Sequence, residues 1–92
     1  MGIARIRRAV RQDRYGFTSH ALEEMDEDDL SEADVRKVLQ RGHVIARLAR
    51  DSRGVRFVVR GAPGESERAI EIVCRFLPSG LLRIITVYQL ES

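Results

Sequence analysis

The sequence predicts an α+β domain in which N-terminal helices pack on a four-stranded antiparallel sheet. Three observations predict it. Apolar residues recur at intervals of three and four as far as Leu39. After Gly42 they recur at every second position instead. Short polar or Gly/Pro stretches separate the alternating runs, so consecutive strands are joined by hairpins.

The first helix is expected over residues 3–14, where Ile3, Ile6 and Val10 form a stripe among Arg5, Arg7, Arg8, Arg11 and Arg14, and Gly16 ends it. Phe17 and Thr18 then form a short connection. Thr18 or Ser19 caps a second helix through His20, Ala21, Leu22 and Met25, with Leu22 and Met25 expected in the core. The third helix has the clearest local grammar. Ser31 is an N-cap with Asp34 as a capping-box partner, Leu30 and Val35 form a hydrophobic staple, and Gly42 is the stop. Val35, Val38 and Leu39 make its buried stripe, and the acidic-to-basic order from Glu32 to Arg41 suits the helix dipole. Strands follow over 43–48, 55–60, 68–77 and 81–90. Turns are expected at Asp51 to Gly54, at Gly61 to Ser66 and at Pro78-Ser79-Gly80. Ninety-two residues make one domain, 1–92.

Composition narrows the function classes. With 43% hydrophobic and 33% charged residues the chain is neither disordered nor a membrane protein. No apolar segment follows the N-terminal arginines, so secretion is not expected. The single cysteine, Cys74, alternates with Ile72 and Phe76, which makes it an unreactive core residue and fits a reducing cytoplasm. No Cys/His spacing suits zinc, and no phosphate loop, dinucleotide fingerprint or Ser-His-Asp arrangement is present, so no cofactor is expected.

The net charge of +2 conceals a segregated pattern. Residues 1–16 are arginine-rich, residues 17–34 carry eight acidic residues and no Lys or Arg, and residues 35–60 are basic again. Arginine codon bias in a high-GC genome accounts for the preference for Arg over Lys. It does not account for the blocks, which read as separate basic and acidic surfaces.

Some residues carry chemistry of their own. His20 opens a helix, where a histidine can meet a phosphate or transfer a proton; its plainer role is to cap a neighbouring backbone group. His43 stands at a helix-to-strand junction with little to recommend it as catalytic. Arg56 and Arg60 share one face of a strand and can clamp a phosphate chain, or simply meet solvent. Arg75 shares a face with Glu71, its candidate ion-pair partner. Thr86 and Tyr88 share a face of the last strand, where Tyr88 can stack on a base or close the edge of the core.

Several segments together resemble the family called domain of unknown function 4258. They are Phe17-Thr18-Ser19-His20-Ala21-Leu22 with Met25, Leu30 to Val35 with Leu39 through Gly42, Arg53-Gly54 with Arg56 to Val59, and Ile84 to Tyr88. The resemblance runs from Tyr15 to Tyr88. It implies the small toxins of bacterial toxin–antitoxin pairs, a RelE/barnase-like fold, and metal-independent RNA cleavage. In that chemistry the ribose 2′-hydroxyl attacks its own phosphate while the protein supplies proton transfer and cations. Carried over, His20 becomes the acid or base, Arg56 the phosphate-stabilising cation, and Thr86 and Tyr88 the groups that position substrate. Arg60 and Arg75 are added as RNA-binding residues from strand geometry. The implied partners are RNA and a cognate antitoxin. Glu24 departs from the pattern, because a basic residue is expected just before Met25. The acidic block around it would repel RNA and could receive a basic antitoxin. Two other expectations stand beside the nuclease: a non-catalytic RNA- or protein-binding module of the same fold, and a homodimer through a sheet edge.

Overall fold

The computed structural model describes residues 2–51 and 54–91. Its elements are α1 (Gly2–Arg11), β1 (Tyr15–Phe17), α2 (Ser19–Glu27), α3 (Glu32–Arg41), β2 (His43–Asp51), β3 (Gly54–Gly61), β4 (Ile70–Phe76) and β5 (Leu82–Gln89). Three helices and a mixed five-stranded sheet, in the order β1-β5-β4-β3-β2, make the expected α+β domain. The sheet corrects the expectation of four antiparallel strands. The four long strands form the antiparallel meander, and β1, expected as a connection, adds a parallel strand along β5 with Tyr15 opposite Leu82 and Phe17 opposite Ile84. Three residues are too few to show an alternating pattern, so periodicity could not reveal it.

Helix α1 stops three residues earlier than expected. Asp13 takes φ 56°, a left-handed conformation that Asp tolerates, and the amides of Asp13 and Arg14 close on the carbonyls of Val10 and Ala9. The α3 N-terminus is as read: the Ser31 hydroxyl accepts from the Asp34 amide, and the Asp34 carboxylate accepts from the Ser31 amide. At its other end Gly42 cannot carry a side chain. A Cβ there would lie 2.6 Å from the carbonyl oxygens of both Arg60 and Val38, so helix and sheet approach to backbone contact. Ser52 and Arg53, in the expected turn after Asp51, lie outside the described residues.

The helices cover one face of the sheet. Ile6, Val10, Ala21, Met25, Val35, Val38 and Leu39 meet Val59, Ile70, Ile72, Cys74, Leu82, Ile84 and Val87 in one core. Leu22 is the exception to the predicted core: it is 51% exposed. The reason is the seat of α2. It lies along the margin of β5 and turns the Ala21–Met25 stripe inward, which leaves the next position to solvent. Cys74 is buried as expected, and burial pushes its thiol up to about 12. No helix among the described residues is long and apolar enough to cross a membrane.

Candidate functional site on the open sheet face

Among the described residues the second face of the sheet carries no helix. Register defines its occupants. Tyr88, Glu71 and Arg60 form one row across β5, β4 and β3, with His43 of β2 opposite Arg60. Thr86, Val73, Val58 and Ala46 form the next row. Arg83 stands opposite Arg75 farther along, and Arg56 lies on the same face of β3.

A β-bulge sets this arrangement. Thr86 pairs with Val73 and Ile84 with Cys74, which leaves Ile85 as the extra residue. The bulge reverses the parity of β5. Val87 and Ile84, three apart, both enter the core, while Arg83 joins Thr86 and Tyr88 on the open face. Strict alternation would have sent Arg83 to the opposite side from Tyr88.

At one end of this face Thr18, Arg56, Arg75, Arg83 and Ile85 line a depression of about 200 Å³. Three guanidiniums there can present planar forks to a phosphate. The wall is positioned by Thr18. Its hydroxyl accepts from the Ala21 amide as the N-cap of α2 (3.1 Å) and donates to the Ile85 carbonyl (3.0 Å), tying helix start to bulge.

At the other end lies a polar row closed on itself. The Glu71 side chain is buried, with one carboxylate oxygen accepting from the Tyr88 hydroxyl and the other from Nε of Arg60 at 2.8 Å and its Nη2 at 2.5 Å. The Tyr88 hydrogen bond and the Arg60 charge hold the Glu71 carboxyl below its ordinary range against the opposing effect of burial. The same hydrogen bond, with burial, pushes the Tyr88 phenol up. Glu71 is therefore a carboxylate, and Tyr88 keeps its proton.

The sequence-predicted residues divide accordingly. Arg56 and Arg75 come together in the arginine depression. Arg60 does not join them; it is the ion-pair partner of Glu71, so the two β3 arginines do not clamp one phosphate. Tyr88 and Thr86 share the open face, but the threonine at the depression is Thr18. His20 does not line it either. Its imidazole is 64% exposed, with Nε2 3.3 Å from the Glu24 carboxylate one turn along α2. Arg83, Glu71 and Thr18 were missed as site residues. Arg83 was hidden by the bulge, whereas the parity of Glu71 with Arg75 was visible in the sequence.

The acidic departure at Glu24 acquires a structural role. β1 ends opposite Ile84, which would leave the outer amides of β5 unpaired. The Glu24 carboxylate accepts from the Val87 amide (3.0 Å), and Asp28, one turn on, accepts from the Gln89 amide (3.2 Å). A carboxylate on α2 and another four residues on, at its C-cap, thus finish a strand edge whose amides recur at i and i+2.

A family model described as domain of unknown function (DUF4258) matches residues 17–89. The chain belongs to this family. The matched span runs from Phe17 through β5 and contains all of the open face, while α1 lies before it. No curated protein and no solved structure matches the chain.

Proposed function

We propose that this member of the DUF4258 family is a toxin-type, metal-independent endoribonuclease of the cytoplasm that takes single-stranded RNA across the open sheet face. One observation carries the reading: Arg56, Arg75 and Arg83 converge with Thr18 on a single depression on the uncovered face of the α+β domain. Arginines gathered at this density set up a local field of one sign that favours an anion. A backbone phosphate seated among them is held in the geometry that forked donors favour.

Cleavage in this reading is intramolecular. The ribose 2′-oxygen attacks the adjacent phosphorus, giving up its proton to a base. The bond to the 5′-oxygen breaks, and that oxygen takes a proton as it leaves. The arginines offset the charge that builds on the phosphoryl oxygens. His20 is the proton-transfer candidate, since its exposed ring stands two residues from Thr18 and meets the Glu24 carboxylate. Glu71 lies four residues from Arg75 along β4, about 13 Å at the usual strand rise, too far to serve the same phosphate. It fixes Tyr88 and Arg60 for the neighbouring nucleotide, Tyr88 offering a ring for stacking. The antitoxin would be a basic protein received by the outer side of α2, where exposed Leu22 sits among Glu23, Asp26 and Glu27.

The test is incubation of the purified chain with end-labelled single-stranded RNA in a metal chelator, alongside growth on expression of the lone chain. Cleavage with a cyclic-phosphate end and slowed growth are expected, and His20→Ala or Arg56→Ala should abolish both. Undiminished toxicity in both variants would remove this active site. A second reading, a non-catalytic RNA-binding module, is favoured by the place of the His20 ring, which meets Glu24 and is not among the residues that line the arginine depression. It is the correct one if RNA is bound with a steep salt dependence and left intact.

A further inference from the structure

The family match begins at Phe17, so α1 and its arginines lie in front of the matched span. Arg5, Arg8 and Ala9 recur at helical spacing on one side of α1, and Gln12 follows just past its end. With Arg14, Phe76 and Gly80 they line a second depression, of about 180 Å³, where α1 meets the β4–β5 turn. Its cations are held in place. The Arg5 guanidinium lies over the Phe76 ring, 3.8 Å from the centroid, and Arg14 donates through Nη2 to the Ser79 carbonyl at 2.9 Å. Gly80, at φ 91°, packs so closely that a Cβ there would come within 3.2 Å of Arg14 Nη2. Among the described residues that line it there is no acidic side chain. Arg5 and Arg8 are one turn apart, a like-charge arrangement that weakens a helix. Three guanidiniums thus gather in one depression, two of them braced by neighbouring groups, in an arrangement that suits an anion.

Its position relates it to the open face. Phe76 follows Arg75 on β4, and the Leu82 amide donates to the Arg14 carbonyl at 3.0 Å, one residue before Arg83. The two arginine clusters thus lie on opposite faces of the same sheet end and are separated by the thickness of one hairpin. We propose that the α1 depression is a second phosphate subsite for the same RNA strand, which leaves the open face and wraps the β4–β5 turn. The inference rests on the RNA reading above and extends it: substrate must be long enough to reach around the hairpin. Gln12 gives the subsite a neutral donor beside its cations, and Phe76 is occupied by Arg5, so the subsite reads backbone and not base.

The experiment is fluorescence anisotropy of the full chain with single-stranded RNAs of about 4 and about 16 nucleotides, across a salt series. The double variant Arg5→Gln/Arg8→Gln should bind the long RNA on the order of tenfold more weakly. Its log–log salt slope should be shallower by about 0.7 for each arginine removed. Binding of the short RNA should be unchanged. Arg83→Gln should weaken both RNAs. Arg8→Gln alone, which leaves the Phe76 stack in place, should give a smaller loss of the same kind and guards against misfolding. Equal long-RNA affinity in wild type and double variant, with Arg83→Gln still impaired, would overturn the subsite and leave the open-face reading standing. A wild-type chain that binds neither RNA would remove both.

Discussion

Strand β4 has two sides, and they follow different rules. Ile70, Ile72 and Cys74 face the helices and are fully buried. Glu71, Val73 and Arg75 face the other way, and there a buried carboxylate, two ring or guanidinium partners and a cluster of arginines replace apolar packing. The inner side is explained by burial alone. The outer side is not, because a solvated face would suffice for folding. The difference separates what holds the domain together from what the domain presents to a partner.

The largest test of that separation is on the inner side. Ile72→Ala removes a fully buried side chain at the centre of the core and should cost about 2–5 kcal/mol in denaturant unfolding. At temperatures where the variant stays folded, its RNA affinity should match wild type. A variant that folds well and loses RNA binding would collapse the distinction between the two sides.

Glu71 is the outer-side residue with the most to lose. Glu71→Ala leaves the Tyr88 hydroxyl and the half-exposed Arg60 without their acceptor and should cost about 1–3 kcal/mol. The pH dependence has a definite sign. The folded carboxyl sits below its ordinary 4.5, so its contribution is complete above that value and disappears as pH falls through the depressed folded value. Wild type should show an acid-side loss of stability in thermal melts that Glu71→Gln lacks. Parallel acid limbs would mean that the row is not held by charge.

Thr18 joins the two sides. As N-cap and as donor to the bulge carbonyl of Ile85, it should cost about 1–2 kcal/mol on substitution by Ala. The same change loosens the wall of the arginine depression, so RNA affinity should fall as well, whereas Ser should retain both properties. At this position the two readouts are expected to move together.

How much of this was legible depended on whether the signal was local and periodic. Ser31, Asp34 and Gly42 were read because capping chemistry is written within four residues. The long strands were read from alternation, and the parity of Arg56, Glu71 and Arg75 with it. Strand β1 was not read, since it exists only through hydrogen bonds to β5, nearly seventy residues away in sequence. Leu22 was assigned to the core because an amphipathic count cannot know that α2 rides on a sheet margin. Arg83 was missed for a different reason. The bulge at Ile85 adds one residue and inverts every face before it, and no residue type announces it. Glu24 was read as an anomaly of charge when its partner is a backbone amide on another element.

Arg83 also supplies the test with the smallest expected effect on stability. It is exposed on the open face and faces Arg75 across the strand pair, so removing its charge relieves repulsion and takes nothing from the core. Arg83→Gln should leave stability within about 0.5 kcal/mol of wild type. RNA affinity should nevertheless drop, with a salt slope shallower by about 0.7, because one of the three guanidiniums around the depression is gone. Arg83→Lys sharpens the point: it keeps the charge and loses the fork, so it should restore the salt slope without restoring the full affinity if the phosphate is gripped by paired donors and not by charge alone. If Gln and wild type bind alike, the depression is a surface where arginines happen to gather, and the two sides of β4 differ only in how wet they are.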